Sequence, residues 1–272
     1  MILTAEQREY FDQNGYLVFD PEIPDSVLDA IVNDLKDKYT SDEQLDVGHH
    51  EPGRIQDAWR INSHVKDVAL NPKVLAVLAE LYDRKPLPFQ TLNFPVGTQQ
   101  QPHSDTIHFN SVPAGFMCGV WIALEDMDEN NGTLIYYPGS HKLPEFTMKD
   151  VGYEYETRSA FSVSQFLRRG FRKFGIIKST PSLKVDDAYP LYEKYISEAI
   201  NENELKPELA VIEKGQGFIW SANLLHGGSP LKDKARTRHS QVTHYFFEDC
   251  KYYTPLASNS EFKSWRDPVW IS

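Results

Sequence analysis

Residues Met117–Lys142 read MCGVWIALEDMDENNGTLIYYPGSHK, two short apolar runs separated by a cluster of Asp, Asn and Gly and closed by Pro-Gly. MCGVWIAL and TLIYY are too short and too rich in β-branched and aromatic residues for helices, and the intervening residues are turn formers. The same grammar repeats outward. PFQTLNF (88–94) and the opening stretch around HSDTIHF (103–109) lie upstream, with LAVIEKGQGFIW (209–220), ANLLHGG (222–228) and HSQVTHYFFED (239–249) downstream. A succession of short strands punctuated by Gly, Pro and Asn predicts an all-β sandwich or barrel.

The N-terminal third reads differently. Thr4 and Gln7 are spaced for a capping box, and the helix they open, AEQREYFDQN, stops at Gly15. YLVFD is a short strand. IPDSVLDAIVNDLKDKY places Val27, Leu28, Ile31 and Leu35 on one helical face, and NPKVLAVLAELY is a further helix ended by Pro86 and Pro88. We therefore read residues 1–272 as one domain: 1–87 a mostly helical support, 88–140 and 209–250 the barrel strands, and 141–208 an insertion able to lid the barrel. The insertion is basic around LRRGFRKFG, with Arg168, Arg169, Arg172 and Lys173, and then helical through PLYEKYISEAINENEL. Those four cations suit an anionic substrate or a solvated helix face.

Composition excludes several classes. A net charge of −11 disfavours nucleic acid and anionic membranes as partners. No apolar run is long enough to span a bilayer, and no secretory leader is visible. Cys118 and Cys250 make neither a disulfide framework nor a zinc motif, so the expectation is a cytoplasmic protein acting on a small molecule. Nothing in the sequence sets its oligomeric state.

The chemistry concentrates at Gln101–Asn110, QPHSDTIHFN. On an extended strand His103 and Asp105 project together, while His108 falls on the other side. An H-x-D alone is a weak signal. A completing imidazole from a distant strand is available in His226, at the end of ANLLHGG. Two imidazoles and one carboxylate on three corners leave open positions, the donor set of non-haem ferrous oxygenases. A keto-acid co-substrate also needs a partner for its far carboxylate, and RTRHSQVTH offers Arg236 and Arg238 on one strand face with Ser240.

With these residues in view, the chain resembles the phytanoyl-CoA dioxygenase family of ferrous, 2-oxoglutarate-dependent oxygenases. EYFDQNGYLVF resembles the family's opening helix and strand, HSD its first two ligands, NGTLIYYPGSHK its NGPLxxxPGSHK segment and LLHGGSP its distal-ligand turn. The resemblance runs over about residues 5–140 and 209–247 and is weak in the insertion. It implies a mainly β fold with flanking helices, a double-stranded β-helix (jelly-roll, cupin-like) barrel. It also implies Fe(II) held by His103, Asp105 and His226, with 2-oxoglutarate and O2 as co-substrates. Arg238 rather than Arg236 falls on the arginine that binds the 2-oxoglutarate carboxylate, although the family spaces it one residue closer to the histidine. Trp121 falls on a tryptophan near the co-substrate. Ser229 is a further candidate contact, as is Thr91 or Asn93 in QTLNF; polar groups satisfied within the barrel are the competing reading for that pair. His141 falls in a turn, and His49, His50 and His64 are expected to face solvent. Tyr136, Tyr137 and Trp220 read as core or pocket wall.

The reaction so implied is hydroxylation, or a related desaturation, epoxidation or ring closure, with release of succinate and CO2. Halogenases that resemble the family carry a small residue in place of the carboxylate, which the presence of Asp105 argues against. The rival readings are a cupin-type isomerase and a non-catalytic metal-binding module.

Overall fold

The computed structural model describes residues 2–40, 47, 49–51, 53–153 and 185–272. The four basic residues of the insertion, Arg168, Arg169, Arg172 and Lys173, lie outside them, as do the side chains of His49 and His50. Five α-helices are described: α1 (Ala5–Asn14), α2 (Asp25–Leu35), α3 (Ser63–Ala69), α4 (Pro72–Tyr82) and α5 (Val185–Glu202). The strands are β1 (Tyr16–Phe19), β2 (His49–Glu51), β3 (Arg54–Gln56), β4 (Pro86–Phe94), β5 (Asn110–Val112), β6 (Met117–Ala123), β7 (Leu134–Tyr136), β8 (Glu208–Leu209), β9 (Gly217–Ser221), β10 (His226–Gly228), β11 (Ser240–Phe247), β12 (Lys251–Tyr253) and β13 (Trp265–Arg266).

Seven strands form the main sheet in the order β1-β9-β6-β11-β4-β3-β2, and two three-stranded sheets, β10-β7-β8 and β13-β12-β5, complete the barrel. The named pairings are all antiparallel, and the architecture is a double-stranded β-helix with helices against one face. The quoted stretch supplies its centre. β6 lies between β9 and β11, and all seven of its residues are buried.

Alternation divides β6 between two cores. Cys118, Val120 and Ile122 face the helices, in a cluster with Leu28, Ile31 and Leu35 of α2 and Val74, Val77 and Leu78 of α4. Trp121 and Ala123 face the barrel interior with Phe94, Phe218, Trp220 and Val242. Because both faces are covered, β6 reads as an unbroken apolar run rather than an alternating one.

The N-terminal elements follow local chemistry. Thr4 caps α1 with Gln7 reciprocally, and Gly15 ends it at φ 79°. A side chain at Gly15 would collide with the His141 ring, whose Nε2 donates to Asp12 O, so His141 fastens this turn as the sequence suggested. Asn71 caps α4, with Pro72 in its first turn. His64 is partly exposed and 3.6 Å from Asp34. The sequence reading missed β2 and β3, which sit in the nominally helical third and extend the main sheet beyond β4. It also missed the sheet made from β5, β12 and β13. α5 packs its Ala188, Tyr192, Ile196 and Ile200 on Ile107, Tyr137, Phe146 and Leu225, so this part of the insertion closes over the loop that follows His103.

Candidate metal and co-substrate site

Position in the small sheet sets the triad. His226 opens β10, and His103 joins it through a single bridge, with His103 N–H donating to His226 O at 2.9 Å and His226 N–H to His103 O at 3.0 Å. Asp105 does not continue a strand. Ser104 caps a 3-10 turn, Asp105–Ile107, and this turn rather than strand alternation swings the carboxylate beside His103. The same turn carries His108 away, where Nε2 meets the Tyr189 hydroxyl of α5 at 3.1 Å.

His103, Asp105 and His226 are buried, and one donor atom from each lies within 4.8 Å of the others. Asp105 Oδ1 is 3.8 Å from His103 Nε2, and Oδ2 is 3.9 Å from His226 Nε2. Each imidazole Nδ1 meets a backbone carbonyl, Gln101 O or Leu224 O, at 2.9 Å. A carbonyl can only accept, so Nδ1 carries the proton and the Nε2 lone pair is presented to the centre. Burial, helped by His226, pushes His103 down to about 4. Burial opposes the Asp105 charge, but the surrounding imidazoles and the Trp220 N–H prevail and bring the carboxyl down to about 2. At neutral pH His103 is therefore neutral beside an ionised carboxylate, the protonation state a divalent cation requires.

A row across the inner face of the main sheet supports Asp105. Tyr16, Trp220, Gly119, His244 and Gln90 are successive register partners on β1, β9, β6, β11 and β4. Trp220 Nε1 donates to Asp105 Oδ2 at 2.8 Å. This requires glycine at 119, since a Cβ there would lie 2.2 Å from the Trp220 ring. Trp220 is thus part of the site and not only wall. His244, which the sequence reading passed over, is buried with Nε2 3.7 Å from Asp105 Oδ2 and Nδ1 2.9 Å from Gln90 Oε1.

Arg238 occupies the other end of this interior. Its guanidinium is 5.8 Å from the Phe94 ring centre and 5.5 Å from that of Trp121. The side chain is buried; Nη2 donates weakly to Val96 O at 3.3 Å, and Nε has no partner. No carboxylate of the described residues pairs with it. Desolvation pushes it down to about 10, with only a distant pull from Glu125 in the other direction. The Trp121 Nε1, Ser229 Oγ and Ser240 Oγ are likewise buried without partners. A buried cation with unspent donors beside the Trp121 indole fits a keto-dicarboxylate. Arg236, by contrast, is partly exposed and already paired with Asp128 at 2.5 Å.

Thr91 and Asn93 are a correction. They pair with Thr243 and Gln241 on the helix-facing side of the sheet; Thr91 N–H donates to Asp57 Oδ1, and Asn93 Nδ2 lies 3.4 Å from Gln241 Oε1. Gln90, Leu92 and Phe94 hold the inward positions instead, so Thr91 and Asn93 face away from the interior that holds Trp121 and Trp220.

A double-stranded β-helix presenting two imidazoles through Nε2 and one carboxylate, with a buried arginine beyond them that pairs with no carboxylate of the described residues, defines the class of ferrous, 2-oxoglutarate-dependent oxygenases. A family model described as phytanoyl-CoA dioxygenase (PhyH) matches residues 11–240, and the chain belongs to this family. Peroxisomal phytanoyl-CoA dioxygenase of Homo sapiens is 21% identical over 96% of this chain and 73% of its own length. A probable phytanoyl-CoA dioxygenase of Caenorhabditis elegans is 27% identical, the match spanning 52% of this chain and 54% of the relative. Among solved structures, EctD from S. alaskensis with 2-oxoglutarate and 5-hydroxyectoine superposes with TM-score 0.63 at 15% identity, covering 94% of this chain and 80% of that one. The epimerase SnoN from nogalamycin biosynthesis gives 0.61 at 14%, covering 91% and 83%.

Proposed function

We propose that the protein couples oxidative decarboxylation of 2-oxoglutarate to oxidation of a small molecule, releasing succinate and CO2. Hydroxylation is the simplest outcome: one oxygen atom of O2 enters the substrate C–H bond and the other enters succinate. Desaturation, epoxidation and ring closure are alternatives within the same chemistry. His103, Asp105 and His226 would hold Fe(II), and Arg238 would pair through its guanidinium with the distal carboxylate of 2-oxoglutarate, with Trp121, Ser229 and Ser240 beside it. Bound iron supplies the activation of O2. The chain's own residues fix imidazole tautomers, keep Asp105 ionised and oriented through Trp220, and enclose the centre beneath the turn after His103 and α5.

The observation that carries this reading is Arg238, a fully enclosed cation without a carboxylate partner among the described residues, in the interior that holds the triad. A cupin-type isomerase or a passive metal module has no use for it. Cys118 and Cys250 are both free, which suits the reducing cytoplasm, and no helix of the described residues is long and apolar enough to cross a membrane.

The test is anaerobic addition of 2-oxoglutarate to the ferrous protein, followed by oxygenation with metabolite pools. The weak visible charge-transfer band of a chelated keto acid should form, and succinate should then appear in the wild type but not in His103→Ala. Iron bound without that band would instead favour the isomerase or binding-module reading.

A further inference from the structure

Along β11 the inward side chains run Ser240, Val242, His244 and Phe246. Arg238 lies at the Ser240 and Val242 end, over rings whose register partners are those two residues, Phe94 and Trp121. A second arginine lies at the Phe246 end. Arg266 of β13 places its guanidinium 4.9 Å from the Phe109 ring centre and 5.9 Å from that of Phe89. Phe89 in turn stacks on Phe246 with ring centres 4.2 Å apart. Phe109 and Phe89 lie 5.2 and 6.1 Å from the His244 ring, which faces Asp105. Arg266 is therefore two ring contacts from the triad, on the side away from Arg238.

Its donors are mostly unspent. Nη1 donates to Thr254 Oγ1 at 3.0 Å, Nε is buried without a partner, and no carboxylate of the described residues pairs with it. A guanidinium has five N–H groups in a fixed fork suited to carboxylate or phosphate, and leaving such a group half-enclosed and unpaired is costly. Burial holds this arginine below its ordinary value, with no acidic group offsetting it.

We propose that Arg266 is the anion anchor of the substrate pocket, taking the carboxylate or phosphate of the molecule to be oxidised while Phe89, Phe109 and Phe246 wall the space between that group and the triad. The proposal rests on the oxygenase reading above and adds the substrate class: a small molecule with an anionic head and an apolar body. Arg238 and Arg266 then bracket the metal centre, one for each carboxylate-bearing or phosphate-bearing reactant.

The rival explanation is that Arg266 only staples the C-terminal segment to the barrel by resting on two phenylalanine rings. Calorimetric titration of the anaerobic ferrous protein with saturating 2-oxoglutarate separates the two, using octanoate, octyl phosphate and neutral octanamide as probes. One of the anions should bind the wild type roughly tenfold or more tightly than the amide, the scale of a charge-assisted hydrogen bond. Arg266→Gln should remove that preference, and Arg266→Lys, which keeps charge and ring contact but not the fork, should retain part of it. Affinity for 2-oxoglutarate should stay within about twofold throughout, as expected for a site that does not share donors with Arg238. The tighter of the two anions identifies the head group. If no probe binds, if the three bind alike, or if Arg266→Gln lowers the melting temperature while leaving the anion preference intact, the anchor is overturned and the staple stands. Failure of 2-oxoglutarate itself to bind the wild type would instead sink the oxygenase reading.

Discussion

Replacing Arg238 with methionine should make the metal-free protein more stable and destroy its response to 2-oxoglutarate. Burial moves this guanidinium well below its ordinary value, to about 10. At 1.4 kcal/mol per unit, that is about 3 kcal/mol of desolvation carried by the charged form. The sign follows from linkage. At pH 7 the side chain is protonated both folded and unfolded, so the folded state bears the whole penalty, and relief begins only as pH rises past about 10. Methionine keeps much of the apolar stem against Phe94 and Trp121 and removes the charge. For a chain of this size about 2–4 °C accompany each kcal/mol, so the apoprotein should melt several degrees higher.

The ligand side moves the other way. Truncating one partner of a buried charge pair costs about 2–5 kcal/mol, which weakens 2-oxoglutarate by roughly 30-fold or more. At a concentration of 100 times the wild-type dissociation constant, the ligand stabilises by about 2.7 kcal/mol, most of which the variant should forfeit. Arg236→Met, at a partly exposed pair, should change either quantity by less than about 1 kcal/mol. Melting curves of the three proteins with and without 2-oxoglutarate decide the matter. An Arg238→Met apoprotein that melts lower, yet still gains the full ligand shift, would refute the argument.

Two further outcomes are expected. Trp220→Phe deletes the 2.8 Å donor to Asp105 Oδ2 while keeping an aromatic ring over Gly119. Ferrous or manganous ion should bind about 10–100-fold more weakly, and unchanged affinity in a metal titration would show that the indole is only wall. For the metal-free protein, burial holds His103 and His244 down to about 4 from 6.5, so below pH 6.5 the unfolded chain takes up protons that the folded one refuses. Stability should be flat above about pH 7 and fall as pH drops from about 6.5 to about 4. Asp105, lowered to about 2, removes more only below its unfolded value of 3.8. Denaturant unfolding in a chelator between pH 4.5 and 8 checks this, and a profile that rises toward acid contradicts it.

The sequence made the barrel legible through the strand grammar around Met117–Lys142, and the metal triad through HSD, LLHGGSP and their separation. It did not reveal which parity of each strand faces inward. Every residue of β6 and β11 is buried, because helices cover one side and the barrel closes the other. With no polar alternation to read, Thr91 and Asn93 were as eligible as Gln90, and His244 passed as an ordinary core position. His103 and Asp105 met for a different reason from the one alternation supplied, since a Ser104-capped turn carries the carboxylate. Strands of two or three residues, such as β3, β5 and β13, have too little periodicity to signal themselves, and their pairing depends on partners far away in the chain.

That blindness to parity matters because the interior of this barrel is where the chain departs from the rules of a well-satisfied core. Arg238, Ser229, Ser240 and the Trp121 indole carry buried polar atoms without partners, while Gln90, Gln241 and Thr243 on the same or adjoining strands are satisfied. Buried donors are normally paired. Thr91 Oγ1 and Asn93 Oδ1 on the helix-facing side are orphaned too, so it is the buried charge of Arg238, rather than the orphans as a set, that the proposed co-substrate would complete. Structural explanations do not reproduce the pattern. A guanidinium placed for packing alone would be better replaced by methionine or leucine, and one placed for stability would bring its own carboxylate, as Arg236 does with Asp128. On the proposed reading the unpaired charge is a standing destabilisation that 2-oxoglutarate would relieve, and the stability gained by Arg238→Met would measure how much of the fold's margin is committed to it.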